Sequence, residues 1–298
     1  MVNSIIEADA IEAMKLLPPD SVDCVLIDPP YNIGVDFGNS KYKQSIKEYV
    51  EWSVQWMREA ERVVKDTGTI YIYGFSEILA HLSVEMNIPH RWLIWHYTNK
   101  TVPSSKFWQR SHESIICAWK QKDKRIYNRD KVREPYTENY IKGYKDKNRT
   151  RTSSKGRFSN STKETSYQVN EKGALPRDVL KISSLAGGAG SKERIGWCTD
   201  CNTSFFGKEI KEHKDHNHFK HPTQKPMELT KKLLLACCPD DATVLIPFAG
   251  SGSECLVAHQ LGYSFIAYDL NPEFVKMGND IIRNHAPVAQ EDRDWETN

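Results

Sequence analysis

The sequence predicts an α/β fold, a mostly parallel sheet with helices on both of its faces. Three observations carry that prediction. Residues Val22–Tyr31 read V-D-C-V-L-I-D-P-P-Y, an apolar run that stops on an acid, two prolines and a tyrosine. Short β-branched runs alternate along the chain with segments whose apolar residues recur at helical spacing. Toward the other end, A-G-S-G-S at Ala249–Ser253 falls between a predicted strand and a predicted helix.

Taken in order, Ile5 and Ile6 suit a short strand, and Asp9 is the expected N-cap of a helix with Ile11, Met14 and Leu17 on one face. Val25, Leu26 and Ile27 suit a strand buried on both faces, which Pro29 and Pro30 must end because they lack backbone N–H groups. Asp28 therefore stands at the carboxyl end of a strand, the edge where open α/β sheets bind ligands. The proline after it holds it extended. A Gly- and Asn-rich loop follows. Tyr49–Val64 carries Val50, Val54, Met57 and Val63, with Trp52 and Trp56 four apart, and reads as a helix closing at Gly68. Thr69–Tyr73 is a predicted strand, Ser76–Met86 a helix, and Trp92–Tyr97 and Ser114–Trp119 are strands. Periodicity lapses over Lys120–Gln168. It resumes in a helix at Met227–Cys238, a strand at Ala242–Phe248, a helix at Glu254–Leu261 and a strand at Ser264–Tyr268 that runs into Asp269. The glycine-rich turn lets a ligand approach the backbone, and an acid at the end of the next strand is placed to accept hydrogen bonds from ribose hydroxyls.

With 298 residues and 39% hydrophobic content, the chain can bury one large core with room for an inserted module. It carries no apolar run of about 18 residues and no charged-then-apolar leader, so a cytoplasmic protein without a membrane span is expected. An odd count of seven cysteines suits reduced thiols. The net charge of +2 conceals an uneven distribution: Lys120–Lys172 holds sixteen Lys or Arg against seven Asp or Glu, a local charge of +9, with tyrosines interleaved. Such a stretch is either a polyanion contact or a solvated insertion.

Three motifs in order, D-P-P-Y at Asp28–Tyr31, H-P-T-Q-K-P at His221–Pro226 and P-F-A-G-S-G at Pro247–Gly252, together resemble the amino-methyltransferases of DNA. Their order resembles the circularly permuted beta group of S-adenosylmethionine-dependent adenine-N6 and cytosine-N4 enzymes. The resemblance covers residues 1–119 and 173–285 and implies a Rossmann-like sheet of seven strands. With the charge and cysteine patterns added, the expected division is a catalytic half at 1–119, a basic target-recognition insert at 120–196, a separately built zinc-finger-like insert at 197–219, a cofactor half at 220–285 and a tail at 286–298. Carried over by position, Asp28, Pro29, Pro30 and Tyr31 form the catalytic motif, with Asp28 also bordering the cofactor. Phe248, Ala249, Gly250, Ser251 and Gly252 form the cofactor loop, and Asp269 meets the ribose. Thr223, Gln224 and Lys225 fall at the methionine end of the cofactor, and Asp9 near its adenine. The family usually has D-P-F where this chain has Ile246-Pro247-Phe248, so one acid of the pattern is missing.

The chemistry that the resemblance implies explains the residue types. An exocyclic amine is a poor nucleophile because its lone pair is delocalised into the ring. If the Asp28 carboxylate and the Pro29 carbonyl accept its two hydrogens, the lone pair turns toward a methyl donor. A base must first leave the duplex stack, and the Tyr31 ring offers a stacking face worth about 1 to 3 kcal/mol. Double-stranded DNA is the expected partner, adenine the expected base, and a homodimer is left open. Cytosine-N4 or RNA methylation, or a DNA-binding regulator without catalysis, are the alternatives.

A metal site is read from spacing. Cys198 and Cys201 form C-x2-C, eleven residues separate Cys201 from His213, and His213 is followed by His218 in H-x4-H, with Phe205 and Ile210 as a miniature core. This resembles a Cys2His2 finger, so a Zn2+ held by Cys198, Cys201, His213 and His218 is expected, with His216 a rival for the fourth position. A structural staple and a DNA-reading role are equally compatible with that spacing.

Overall fold

The computed structural model describes residues 2–32, 44–99, 104–144, 149–151, 165–167, 170–186 and 190–285. Most of the loop after D-P-P-Y (33–43) and the expected tail (286–298) lie outside the described residues. The strands are β1 (Ile5–Glu7), β2 (Val22–Ile27), β3 (Val64–Gly74), β4 (His90–His96), β5 (His112–Ala118), β6 (Arg149–Arg151) and β7 (Thr165–Tyr167). They continue with β8 (Val179–Lys181), β9 (Ile195–Cys198), β10 (Thr203–Phe206), β11 (His218–Lys220), β12 (Thr243–Ile246) and β13 (Ser264–Asp269). The helices are α1 (Ala10–Lys15), α2 (Ile46–Val63), α3 (Ser76–Glu85), α4 (Glu138–Tyr144), α5 (Met227–Cys237), α6 (Ser253–Gln260) and α7 (Pro272–Asn284).

Two compact units form, one from residues 1–127 with 178–298 and the other from 128–177. The first is built on an eight-stranded sheet in the order β1-β13-β12-β2-β3-β5-β4-β8. Pairing is parallel except where β5 runs antiparallel between β3 and β4. The expected seven strands thus become eight, because Val179–Lys181 returns to pair in parallel with Ile94–His96. That return also makes the second unit narrower than the expected insert at 120–196. Within the second unit, β6 and β7 pair antiparallel, Glu134 bridges Ala174, and the Tyr136 and Tyr140 rings stack at 4.6 Å.

Strand β2 is central, and all six of its residues are buried. Alternation sends Cys24 and Leu26 to one face, where they pack with Leu229, Leu233 and Leu234 of α5. Val25 and Ile27 go to the other, against Trp56, Met57, Ala60 and Val63 of α2. Both faces are therefore covered by helices, which is why the strand reads as a continuous apolar run rather than an alternating one. Its neighbours are β3 on one side and β12 on the other, so the two ends of the chain meet along β2. The buried Asp23 fastens that junction: it accepts from the Thr243 amide at 2.9 Å and pairs with Lys65 Nζ at 2.8 Å.

Two local expectations change. Gly68 does not close α2: the helix ends at Val63 and the chain enters β3 directly at Val64. A Cβ at Gly68 would stand 2.6 Å from the Asp23 carbonyl oxygen, beside the irregular register between Val22 and Cys24, so this glycine serves strand approach. The segment 197–219 is not a separately built insert either. It folds with β9 as a three-stranded antiparallel ribbon, β10-β9-β11, whose Ile195, Trp197 and Phe206 join the main core cluster. Ser204 donates from its amide and its hydroxyl to Asp280 of α7 at 2.8 and 2.7 Å, and Lys276 lies 4.8 Å from the Trp197 ring.

Replacing Asp23 with Ala should strip the Thr243 amide and Lys65 of a charged acceptor and lower stability by about 2 to 4 kcal/mol. Urea unfolding would check this, and a loss below about 0.5 kcal/mol would contradict it.

Candidate active site

The carboxyl ends of β2, β12 and β13 open onto a cleft of about 300 Å3. Of the residues expected from the sequence, Asp9, Asp28, Pro29, Pro30, Tyr31, Thr223, Gln224, Lys225, Phe248, Ala249, Gly250, Ser251 and Asp269 all line it. Gly252 does not. It has φ +78°, and a Cβ there would lie 2.7 Å from Gly278 Cα, so it lets the loop lie against α7. Gly250, at φ +50°, does face the cleft, but a side chain there would first meet the His221 ring at 3.0 Å.

At the floor of the cleft Lys225 Nζ donates to both oxygens of Asp28 at 2.7 Å. The lysine side chain is only 3% exposed. It lies 3.7 Å from Glu113 Oε2 and over the Tyr31 ring at 5.0 Å. Glu113, on β5, is in turn held by two phenols: Tyr31 donates to one oxygen at 2.9 Å and Tyr97 to the other at 2.6 Å. Burial raises the Asp28 pKa from its ordinary value, and the Lys225 ammonium offsets only part of that. Burial lowers the Lys225 ammonium, but Asp28, Glu113 and Glu254 outweigh it and its pKa ends up raised. The lysine is thus held charged, and its charge favours the ionised, acceptor-only form of Asp28.

Glu254 was missed in the sequence. It is 5% exposed at the start of α6, faces the cleft, and accepts from Ser253 Oγ at 2.8 Å. Burial, reinforced by the nearby Asp28 charge, raises its pKa to about 7. Residue-type motifs could not have revealed it, because its importance comes from which neighbours the fold supplies. His221 was quoted within H-P-T-Q-K-P but given no role. It packs edge-on to Phe274 at 4.7 Å, and burial, with Lys225 and Arg194 adding, lowers its pKa to about 3, so its ring is neutral.

At the other end of the cleft Asp269 organises the glycine loop. One oxygen accepts from the Gly250 amide at 2.7 Å and the other from the Asn271 amide at 2.8 Å. Burial nevertheless raises its pKa. Phe248 packs against Trp52 and Trp56 at 5.8 and 6.1 Å, giving the cleft an aromatic wall that the sequence presented only as helix core. Ile246, which stands where the resembling family has an acid, is 1% exposed within β12 and contributes no polar atom. Asp9 caps α1, accepting from the Ile11 and Glu12 amides at 2.9 and 3.1 Å, while bordering the cleft.

The Cys/His set lies apart from this cleft. Cys198, Cys201 and His213 come together with His216, not with His218. Gly207–His213 is a 3-10 helix rather than an α-helix, and its last turn continues through a His216 amide to His213 carbonyl bond of 3.1 Å. Three residues per turn return position i+3 to the same side, so His216 joins His213. His218 is instead committed to β11, where it sits edge-on to Phe205 with Nδ1 2.9 Å from the His216 carbonyl.

Comparison with known proteins agrees with this geometry. Residues 22–280 match the model of the DNA methylase family of N6 and N4 methyltransferases, and the chain belongs to this family. It is 27% identical over 285 residues to the type II methyltransferase M.HpaI of Haemophilus parainfluenzae, covering 94% of this chain and 74% of that protein. It is 26% identical over 281 residues to the DNA adenine methyltransferase YhdJ of Escherichia coli (strain K12), covering 92% of this chain and 81% of that one. The fold matches the PvuII DNA methyltransferase (cytosine-N4-specific) with a TM-score of 0.61 at 16% identity, over 97% of this chain and 89% of that one. It also matches the M1.HpyAVI-SAM complex with a TM-score of 0.55 at 18% identity, over 92% and 96% of the respective chains.

The raised Glu254 pKa has a definite consequence for stability. Between the ordinary value of 4.5 and about 7 the folded chain holds a proton that the unfolded chain has lost. Stability from this group is therefore fullest below about pH 4.5 and declines as pH rises to about 7. Glu254→Gln should remove that decline, so the variant should gain Tm relative to the parent at about pH 8 and gain little at about pH 5. Melting curves that stay parallel across this range would contradict the assignment.

Proposed function

We propose that this chain transfers a methyl group from S-adenosylmethionine to N6 of an adenine extruded from double-stranded DNA. One observation carries the reading: Asp28, clamped by Lys225 at the end of β2, shares a single cleft with the glycine loop and Asp269.

The cleft fits the cofactor on several counts. The Asp269 carboxylate accepts from backbone amides and still has lone-pair capacity for the hydroxyls of a ribose. Gly250 leaves the backbone bare at the cleft wall, and Trp52 and Phe248 offer aromatic surface for a purine. Asp28 supplies negative charge for a cationic ligand, and Thr223, Gln224 and Lys225, which the family resemblance assigns to its amino-acid end, line the same cleft. Bound there, S-adenosylmethionine supplies an electrophilic methyl on a positively charged sulfur.

The remaining work falls to the chain itself. Asp28 is held by Lys225, yet a carboxylate has about four lone-pair sites, so its oxygens can accept from an incoming amine without releasing the lysine. With the Pro29 carbonyl taking the second amine hydrogen, the nitrogen lone pair is freed from the ring. Methylation makes that nitrogen cationic and acidic, and the Asp28 carboxylate is placed to accept its proton. Tyr31, fixed through its hydroxyl to Glu113, presents a pre-set ring edge and face to an extruded base.

The acid at the first position of D-P-P-Y and the name of the adenine-methylating relative favour adenine over cytosine. The unit at 128–177, which overlaps most of the basic stretch, is proposed as the target-reading part, engaging phosphate through its Lys and Arg residues. Relatives named as type II methyltransferases support a place beside a restriction activity. Among the described residues no helix is long and apolar enough to cross a membrane.

Labelled methyl transfer to mixed-sequence duplex DNA followed by nucleoside analysis tests the proposal. The expected product is N6-methyladenine, with Asp28→Asn reducing the rate at least about a hundredfold. Label recovered as N4-methylcytosine, or an Asp28→Asn rate within about tenfold of the parent, would overturn it.

A further inference from the structure

We propose that Cys198, Cys201, His213 and His216 bind one Zn2+, and that this metal clamps the ribbon against the loop that delivers Lys225 to Asp28. The four ligand atoms all lie within 4.8 Å of one another. Cys201 Sγ is 3.6 Å from His213 Nδ1 and 3.0 Å from His216 Nδ1, and Cys198 Sγ is 3.6 Å from His216 Nδ1. Tetrahedral zinc with bonds of about 2.3 Å to sulfur and 2.0 to 2.1 Å to nitrogen sets such atoms about 3.4 to 3.8 Å apart. Two thiolates and two imidazoles form a donor set suited to zinc and unsuited to the oxygen-seeking cations.

The site is built by its surroundings. The C-x2-C turn is fixed by the Cys201 amide, which donates to Cys198 Sγ at 3.3 Å, and by Asn202 in the left-handed region at φ +55°. Asp200, between the cysteines, accepts from the Asn217 amide at 2.8 Å, and the Thr199 amide donates to the Asn217 carbonyl at 2.9 Å. Those two bonds tie the cysteine turn to the histidine turn before any metal arrives. Phe205 stacks on His213 at 4.6 Å and sets its ring plane. By contrast, the buried thiols Cys24, Cys237 and Cys238 form a second cluster with no imidazole or carboxylate among them.

The clamp reaches the cleft through short links. Strand β9, which ends at Cys198, begins at Ile195, whose amide donates to Gln224 Oε1 at 2.8 Å. Gln224 Nε2 donates in turn to the Glu193 carbonyl at 3.1 Å. Strand β11 leaves the metal cluster and runs through Lys220 straight into His221. The H-P-T-Q-K-P loop is therefore tied to β11 at its start and to β9 at Gln224, two strands that pair with each other and lead to the four ligands. The loop itself is irregular backbone carrying the buried charge of Lys225.

Elemental analysis of the full chain, purified without chelator, should find about one zinc per chain. Zinc should be lost from Cys201→Ser and from His216→Ala and retained in His218→Ala, and Co2+ exchanged into the parent should give the absorption of a tetrahedral thiolate site. Because a cysteine variant could lose metal by misfolding, the coupling is read on the parent by hydrogen exchange before and after chelation. Removing zinc should speed exchange about tenfold or more in 190–226, leave β2 and β3 protected, and be reversed by added Zn2+. No zinc in the purified chain and no uptake of added Zn2+ would overturn the site. Zinc loss that leaves exchange in 221–226 unchanged would overturn the clamp.

Discussion

The contact on which the site depends is the ion pair between Lys225 and Asp28, two residues 197 apart in the chain. Each would be costly to bury alone, and they are stable together because each satisfies the other and the lysine has Glu113 as a further neighbour. The pair closes the cleft across the β2–β12 junction, where the two ends of the chain meet. Its geometry is shared by the elements around it: β2 and the two prolines set Asp28, β5 sets Glu113, and the loop before α5 sets Lys225. Strand pairing between β12 and β2 joins the two parts of the fold, and the charged pair adds a second link between them within the cleft.

Much of this was legible in the sequence, for stated reasons. Strand β2 announces itself because a strand covered on both faces must be apolar throughout, and Pro29 and Pro30 leave no doubt where it stops. The glycine loop and Asp269 were legible because a strand, a tight turn and an acid at the next strand's end form a local pattern. Thirteen of the residues expected at the cleft do line it. Gly252 does not, because a glycine needed for packing against Gly278 and one needed beside a ligand look alike in a sequence.

What stayed hidden depends on partners brought from afar. Glu113 and Glu254 are ordinary acids until β5 and α6 place them beside Lys225. Trp52 reads as core because helical spacing cannot tell a face packed on the sheet from one bordering a cleft. Gly68 was read as a helix terminator, yet α2 runs into β3 without a loop and the glycine is spent on an approach to Asp23. His218 fitted the spacing of an α-helical finger. The chain instead forms a 3-10 turn, and the difference of about 0.6 residue per turn brings His216 rather than His218 to Cys198, Cys201 and His213.

The central claim, that Lys225 keeps Asp28 ionised and aimed at the amine, is tested most directly by the pH profile of single-turnover methylation in Lys225→Met. Burial already raises the Asp28 pKa, and removing the ammonium removes the main opposing influence. The acid limb of the rate profile should therefore move to higher pH, with Lys225→Arg moving it less. An acid limb that stays in place in Lys225→Met, at a rate near that of the parent, would contradict the account.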